Sequence, residues 1–434
     1  MTGLELRRTL VADIGDGPAA RVRLCGWVEE IRASTEGSIV ELRDHTGVAQ
    51  LVSGRDGPAP EVVRGLLPGS AIVAVGTLEA AGGDGVRLAL ERLELAGPAR
   101  GPLPITEHSP REQRMDWRYL DLRHPRNRLI FELQTTAERA MRAFWHEEGF
   151  IELHSPKLRP IPNKSGAQLF TVPYFERQAY LAQSPQFEKQ MAMAAGFDRV
   201  AEIGPVFRPQ PDPTSRHDTE FTSVDIEMSW IDSHEDLLAF EEEMLCRVIA
   251  AAQAEHGREV ERWFGAELRV PSRPFPRVTL AEAKEIVEAG GWEPGPPDED
   301  IDAEGERRLA AHVSREHGHE LVFVTDYPEP SRPFYHMRCA PDSVATRSFD
   351  LLWKGLEITS GAQREHRYDQ LVAQAGARGV PVELIRYYLD FFKFGCPPHG
   401  GFGLGLTRML MSMLEVADVR EVTYLFRGPD RLMP

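Results

Sequence analysis

The sequence is poor in lysine, in paired cysteines and in long apolar runs, and each shortage excludes a class of protein. Only six of its 50 basic residues are lysine, and the formal net charge is −17. A chain this acidic does not coat nucleic acid through a basic surface. Its four cysteines are scattered with no CxxC pair, which indicates a reduced, cytosolic protein. No apolar run has membrane-spanning length and the first residues lack a signal-peptide core, so we expect no membrane partner.

The chain does have enough apolar residues for more than one core. It has 434 residues, of which 42% are hydrophobic and 27% charged, as in globular proteins of two or three domains. Residues 19–95 form short alternating segments separated by turns, which is consistent with an OB-fold barrel, although a purely structural barrel fits the composition equally well. We predict this first domain over residues 1–100, a linker rich in proline and glycine over 101–127, and a second domain over 128–434.

The second domain is predicted to mix helices with strands. An amphipathic helix runs from Arg128 to Glu148 and is followed by the strand FIELHSPKL, which ends near Pro156. A second helix is predicted over 234–256 and a helical insertion around 279–320. The stretch AHVSREHGHE in this insertion has no zinc-site spacing and favours a solvated helix end. The stretch GGFGLGL lacks the dinucleotide fingerprint and a surrounding βαβ unit.

A long hairpin over residues 204–230 stands at the centre of this domain. One strand delivers Arg208, a loop with three prolines follows, and the chain returns through Arg216, His217 and Phe221. Two guanidinium groups that face each other across a hairpin suit a polyphosphate, and an aromatic ring can stack on a base. From these residues alone, a surface hairpin with solvated arginines is the alternative.

Two carboxylates in a later apolar strand are candidate metal ligands. Asp350 and Glu357 lie seven residues apart in RSFDLLWKGLEITSG. Together with the oxygens of ATP, such a pair could hold Mg²⁺. The alternative is a pair of strand-end carboxylates that face solvent or arginine.

These stretches together resemble a class II aminoacyl-tRNA synthetase, most closely the archaeal-type aspartyl-tRNA synthetases, including non-discriminating ones. GFIELHSPKL resembles motif 1, FRPQPDPTSRHDTEF resembles motif 2 and GGFGLGLTR resembles motif 3. AYLAQSPQFEKQ, RSFDLLWKGLEITSGAQREHR and CPPHGGFG are more specific to the aspartyl enzymes. The resemblance covers nearly the whole chain. It implies an α+β fold, with an antiparallel sheet flanked by helices after an N-terminal OB-fold barrel, and a homodimer formed through the region of Pro156.

The resemblance also implies an ATP site with Mg²⁺. Arg208 would bind the α-phosphate, Phe221 would stack on adenine, and Arg408 would lie on the other face of adenine near the γ-phosphate. Asp350 and Glu357 would hold Mg²⁺. Arg208, Arg408 and Glu357 would be the catalytic residues, and the implied ATP-binding set is Arg208, Arg216, His217, Phe221, Glu357, Gly405 and Arg408.

For the amino acid, the resemblance implies that Lys189 and Arg364 bind the β-carboxylate of aspartate, since two cations suit one carboxylate. The other implied pocket residues are Lys164, Ser184, Gln186, Asp225 and Ser360. The implied reaction is attack of the substrate α-carboxylate on the α-phosphorus of ATP, stabilised by cations and without a general base. The acceptor would be the 3′ end of tRNA-Asp, and also of tRNA-Asn.

The sequence departs from the family pattern at four single positions and in its C-terminal signature, which is altered to FRGPDRLMP. Lys164 replaces a glutamate that contacts the α-ammonium group, Gln210 and Thr407 replace glutamates of motifs 2 and 3, and Ile39 cannot stack on an anticodon base. An aspartyl-tRNA synthetase is therefore one hypothesis. A paralogue that adenylates aspartate or an analogue for a small-molecule acceptor is the other. A non-catalytic regulator fits poorly with the retained Arg208.

Overall fold

The chain folds into two compact units, Met1–Pro125 and Arg126–Pro434, and the division falls inside the predicted linker. The structure is a computed structural model that describes residues 6–14, 20–34, 37–54, 63, 65–79, 85–160, 169–211, 214–293, 295–296 and 298–434. The loop residue Lys164 lies outside these ranges.

The first unit is a closed five-stranded barrel with the order β1-β2-β3-β5-β4, as expected for an OB-fold. Its strands are β1 (Arg21–Ser34), β2 (Gly37–Arg43), β3 (Val48–Gly54), β4 (Ala71–Leu78) and β5 (Val86–Gly97), and the helices α1 (Arg111–Asp116) and α2 (Arg118–Asp121) follow. Alternate residues of β4 are buried, because successive side chains of a strand point to opposite faces. Ile39 lies in β2, where it pairs with Arg32 of β1.

The second unit is built on an eight-stranded sheet with the order β12-β13-β14-β15-β16-β11-β10-β6. The six inner strands are antiparallel, and each edge strand pairs in parallel with its neighbour. The strands of this sheet are β6 (Ile151–Glu152), β10 (Arg199–Phe207), β11 (Glu220–Ser229), β12 (Arg277–Thr279), β13 (Leu321–Thr325), β14 (Ser348–Trp353), β15 (Leu356–Gln363) and β16 (His399–Gly405). A separate sheet with the order β7-β9-β8 contains β7 (Leu158–Arg159), β8 (Thr171–Tyr174) and β9 (Arg177–Leu181).

Three of the helices of the second unit cover one face of the large sheet. In chain order the helices are α3 (Pro125–Glu147), α4 (Gln186–Ala194), α5 (Glu235–Phe264), α6 (Leu280–Ala289), α7 (Ala303–His317), α8 (Tyr368–Ala377), α9 (Arg386–Leu389), α10 (Leu406–Leu414) and α11 (Val419–Val422). The apolar stripes of α3, α5 and α10 join the sheet in the main hydrophobic core. The predicted α+β class is confirmed. No helix in the described ranges is both long and apolar enough to span a membrane.

The central hairpin forms as predicted, with β10 and β11 paired from Arg199↔Met228 to Phe207↔Glu220. Strand alternation gives β11 two different faces. Val224 and Ile226 are fully buried in the core under the helices. Ser223 and Asp225 point to the opposite face, where they line a cavity. The sheet therefore has an apolar structural face and a polar face that can carry a site.

The segment around 279–320 contains helices α6 and α7. Thr279 and Glu282 form a capping box that fixes the start of α6. The Asp302 side chain accepts hydrogen bonds from the backbone N–H groups of Glu304 and Gly305, at 3.0 and 2.8 Å, and so fixes the start of α7. The two helices share a small core with β13.

Candidate active site

A cavity of about 470 Å³ opens on the polar face of the large sheet. It is formed by the β10–β11 hairpin, β15, β16 and the segment that precedes β14. Of the residues predicted for the site, those that line it are Ser184, Gln186, Arg208, Arg216, His217, Phe221, Asp225, Glu357, Ser360, Arg364, Gly405 and Arg408. Residues that lie far apart in the sequence of the second unit therefore come together in one cavity.

One end of the cavity is rich in positive charge. The guanidinium of Arg208 lies 5.1 Å from the ring centre of Phe221, and its Nε donates to the backbone oxygen of Gln183 at 3.3 Å. Arg408 Nη1 donates to the backbone oxygen of Glu357 at 2.9 Å and lies 3.3 Å from its Oε1. Desolvation by the surrounding protein and the charge of the nearby Arg408 lower the pKa of Arg208, although its side chain is open to the cavity. Positive charges that repel one another at one end of a cavity suit a polyanion such as a triphosphate.

His217 contributes a neutral ring to this end. Burial and the charges of Arg408, Arg216 and Arg208 lower the pKa of His217 to about 4. Its Nδ1 lies 2.7 Å from the hydroxyl oxygen of Thr214. At neutral pH the imidazole is therefore uncharged and can act as a hydrogen-bond donor to a phosphate oxygen.

The two residues predicted to bind the substrate carboxylate meet around an internal carboxylate, Glu227. Arg364 Nε donates to Glu227 Oε1 at 3.0 Å, and Lys189 Nζ lies 3.3 Å from Oε2. Glu227 is fully buried. Burial opposes its charge, but Arg364 and Lys189 hold the pKa of Glu227 below its ordinary value. Glu227 was not predicted, although its place two residues after Asp225 in one strand puts both side chains on the same face.

Lys189 lies behind the cavity wall rather than in it. Its Nζ donates to Asp225 Oδ1 at 3.0 Å and to the backbone oxygens of Ile226 and Phe402 at 3.2 and 3.1 Å. These bonds account for its three donors. Arg364 reaches the cavity and also donates to the backbone oxygen of Gly401 at 2.7 Å. Direct contact of Lys189 with a substrate thus requires an exchange of partners.

Arg332 is a site residue that the sequence did not reveal. Its Nη2 donates to Asp350 Oδ2 at 2.5 Å, its Nη1 lies 3.3 Å from the hydroxyl oxygen of Ser360, and its guanidinium lies 3.5 Å from the ring centre of Tyr327. Burial lowers the pKa of Arg332, but the adjacent Asp350 carboxylate raises it by more than burial lowers it. The net shift of this pKa is therefore upward. A single arginine in a segment without periodicity gives no sequence signal.

The two predicted metal ligands lie on neighbouring strands. Asp350 pairs with Ser360 across β14 and β15, while Glu357 lies at the start of β15. Asp350 Oδ1 is buried without a hydrogen-bond partner among the described residues. Burial and the Asp350 charge raise the pKa of Glu357. A divalent cation relieves both conditions, so the donor set fits Mg²⁺. The described residues contain no group of three or more His, Cys, Asp or Glu side chains placed to hold a metal, so a cation at these two carboxylates would need further ligands from outside this pair.

Two of the four departures are visible at the cavity. Gln210 and Thr407 both line it, so neutral side chains stand where the family motifs carry glutamate. Lys164 lies outside the described residues.

Pro156, the residue around which a dimer interface was predicted, is exposed between β6 and β7.

Comparison with known proteins gives one consistent result. A family model described as tRNA synthetases class II (D, K and N) matches residues 110–427. The chain is 40% identical over 424 residues to the aspartate–tRNA(Asp/Asn) ligase of Aeropyrum pernix, which covers 95% of this chain and 96% of that protein. It is 42% identical over 426 residues to the protein of the same name from Methanopyrus kandleri, with 95% and 96% covered.

Solved structures agree with the sequence relatives on the fold. The asparaginyl-tRNA synthetase of Pyrococcus horikoshii complexed with asparaginyl-adenylate superposes with a TM-score of 0.92 at 27% identity, covering 99% of this chain and all of that one. A putative aspartyl-tRNA synthetase of Leishmania major superposes with a TM-score of 0.88 at 27% identity, covering 100% and 96%.

Proposed function

Because the chain belongs to the class II tRNA synthetases of the D, K and N group, we propose that it activates aspartate with ATP and transfers it to tRNA. The observation that carries this proposal is the cavity itself, which has an arginine-rich end at Arg208 and Arg408 and a second end at Arg364. A substrate with a triphosphate on one side and a carboxylate on the other matches this distribution of charge. We assign tRNA-Asp and tRNA-Asn as acceptors, because the two relatives compared above carry the Asp/Asn name.

In the first step an oxygen of the aspartate α-carboxylate attacks the α-phosphorus of ATP. An O–P bond forms, the bond to the β-phosphate oxygen breaks, and pyrophosphate leaves. The nucleophile is already ionised, so the protein positions the reactants and stabilises charge rather than removing a proton. Arg208 is the proposed partner of the α-phosphate, and Arg408 and His217 are the proposed partners of the departing phosphates. Asp350 and Glu357 are the residues that would hold Mg²⁺, which would supply positive charge against the phosphates.

At the amino-acid end, Asp225 is the proposed partner of the α-ammonium group. Its carboxylate lines the cavity and is held by Ser223 Oγ at 2.5 Å and Lys189 Nζ at 3.0 Å. Arg364 is the proposed partner of the β-carboxylate, with Gln186 and Ser360 beside it. Lys189 supports this end through Glu227 and Asp225.

We propose that the chain acts as a homodimer and that the barrel contacts the anticodon arm. Exposed apolar side chains support the dimer: Ile151 and Leu158, on either side of Pro156 in the sequence, have exposed fractions of 49 and 48%, and Phe175 in the turn between β8 and β9 has 91%. Unpaired apolar surface of this kind favours burial against a second copy. Sedimentation equilibrium tests the dimer, and a monomer at micromolar concentration would contradict it.

ATP–pyrophosphate exchange without tRNA tests the central proposal. We expect exchange with aspartate, little with asparagine and none with succinate, which lacks the α-amino group. Charging of tRNA-Asp and tRNA-Asn transcripts then identifies the acceptors. Exchange with succinate or another analogue alone, or exchange with aspartate and no charging of either transcript, would instead establish a ligase with a small-molecule acceptor. The neutral Gln210 and Thr407 at the cavity are the observation that favours that second function.

A further inference from the structure

Helix α7 of the segment around 279–320 carries a buried carboxylate that contacts a residue of the cavity wall. Glu306 lies in the first turn of α7 and is 8% exposed. It forms an ion pair with Nη2 of Arg216, the second arginine of the motif 2 stretch, which lines the phosphate end of the cavity. The two residues lie 90 positions apart, so this contact depends on the tertiary placement of α7.

A second element holds the same nitrogen. Arg216 Nη2 also donates to the backbone oxygen of Gly355 at 3.1 Å. Gly355 lies in the turn between β14 and β15 with φ of +79°, and a Cβ there would lie 2.9 Å from Cα of Arg307 in α7. Glycine is therefore required both by the backbone conformation and by the close packing of α7. Helix and turn together place two acceptors around one guanidinium nitrogen.

This arrangement leaves the rest of the guanidinium available. No described residue accepts a hydrogen bond from Nε or Nη1 of Arg216, whose side chain is 21% exposed. His217 and Arg408 line the same end of the cavity. A flexible arginine loses rotamer freedom when it binds a phosphate, whereas one already held by two acceptors loses less.

We propose that Glu306 is a positioning residue that holds Arg216 ready for the terminal phosphates of ATP, and that this is a function of the helical segment. The inference deepens the proposed function, because it assigns the phosphate end of the same cavity. It differs from a purely structural role in that Glu306 acts on ATP through Arg216. Aspartate binding at the other end of the cavity is left unchanged.

The test compares ATP binding by titration calorimetry with ATP–pyrophosphate exchange for Glu306→Gln, which keeps the shape and removes the charge. Burial raises the pKa of Glu306 to about 7, so both assays are run at pH 8. We expect the Kd and KM for ATP to rise about three- to tenfold, the effect of one side chain that must be immobilised on binding. The KM for aspartate should stay near wild type, and the Tm should fall only slightly, because Arg216 keeps the Gly355 carbonyl as a partner and is partly exposed to water.

Two further variants complete the design. Glu304→Gln is the matched control, because Glu304 lies in the same helical turn but pairs with Arg307 and Arg308 and is 43% exposed. In an Arg216→Met background, Glu306→Gln should have no additional effect on the Kd for ATP, because the guanidinium through which Glu306 acts is absent.

Several results would overturn the proposal. A lower Kd for ATP in Glu306→Gln would mean that the ion pair withholds Arg216 from the nucleotide. An unchanged Kd, an effect that adds to that of Arg216→Met, or an equal rise in both KM values with a markedly lower Tm would leave only a structural role. A wild-type chain that binds ATP but shows no exchange with any amino acid would refute the proposed function instead, and the calorimetric comparison would still decide this inference.

Discussion

Replacement of the buried Glu241 by glutamine should flatten the pH dependence of stability. Glu241 lies on α5 within the main core and is fully buried. Neither carboxyl oxygen of Glu241 makes a hydrogen bond in the described structure. The nearby Thr359 hydroxyl favours the charged form of the carboxyl group, but burial opposes it more strongly. Burial raises the pKa of Glu241 to about 8, from an ordinary value of 4.5. The folded protein therefore holds a proton on this side chain at neutral pH.

The sign and size of the effect follow from this shift. Between pH 4.5 and 8 the unfolded chain releases the proton and the folded chain keeps it, so the stability contributed by this group falls as pH rises. At 1.36 kcal/mol per pH unit, the wild type should lose about 3 kcal/mol by pH 7 relative to a variant without this titration. Glutamine is also a buried amide, but its cost does not change with pH. The difference between the two pH profiles isolates the carboxyl group.

The assay is urea unfolding of the full chain at pH 5, 6, 7 and 8, followed by tryptophan fluorescence. We expect the free energy of unfolding of Glu241→Gln to rise relative to that of the wild type with each step to higher pH. Glu259→Gln is the control, because Glu259 is an exposed glutamate on the same helix. Parallel profiles for wild type and Glu241→Gln would refute the reasoning, since they would show that Glu241 is ionised in the fold or is reached by water.

Other substitutions test the charge pairs of the site. Glu227→Gln leaves Arg364 without its buried partner and should lower the free energy of unfolding by about 3 kcal/mol, measured in urea at pH 7. The exposed Glu220→Gln on the same strand is the control, and an equal stability of both variants would contradict the pairing. Arg332→Met removes the charged hydrogen bonds of the guanidinium group to Asp350 and Ser360 at the cavity. The KM for aspartate in pyrophosphate exchange should rise by about tenfold or more. An unchanged KM would show that Arg332 is remote from the substrate. Arg208→Ala should lower kcat for exchange by about 10²-fold, and unaltered use of ATP would refute its assignment.

The sequence was sufficient for those parts of the fold that follow from local periodicity. The alternation of Val224, Ile226 and Met228 predicts β11 and its apolar face, and the prolines after Phe207 predict where β10 ends. The 3.6-residue stripe of α3 predicts a helix packed on a core, and the core contains it. In each case the residues that determine the element lie within a few positions of one another.

The charge partners at the site do not follow from local pattern. Arg364 and Glu227 are 137 positions apart, and Arg216 and Glu306 are 90 apart. The family resemblance supplied Arg364 and Arg216 as residues that face ligands, but motifs describe contacts with substrate and not the groups behind them. Which carboxylate pairs with which arginine becomes clear only from the fold, which brings β11 next to the end of β15 and α7 next to the β10–β11 loop.

The paired cations explain how a chain with a net charge of −17 can keep an anion site. An uncompensated arginine in a partly buried cavity is costly, and an internal carboxylate lowers that cost. Arg364, Arg332 and Arg408 contact Glu227, Asp350 and Glu357 respectively. Because a guanidinium has five donors, it can keep its carboxylate and still direct an N–H group at a ligand; in Arg364, one N–H of Nη1 remains, among the described residues, after the bonds to Glu227, His336 and Gly401. Selection of the anion then depends on the direction of these donors more than on net charge. A loss of Glu227 should for that reason relax discrimination among carboxylates as well as weaken the fold.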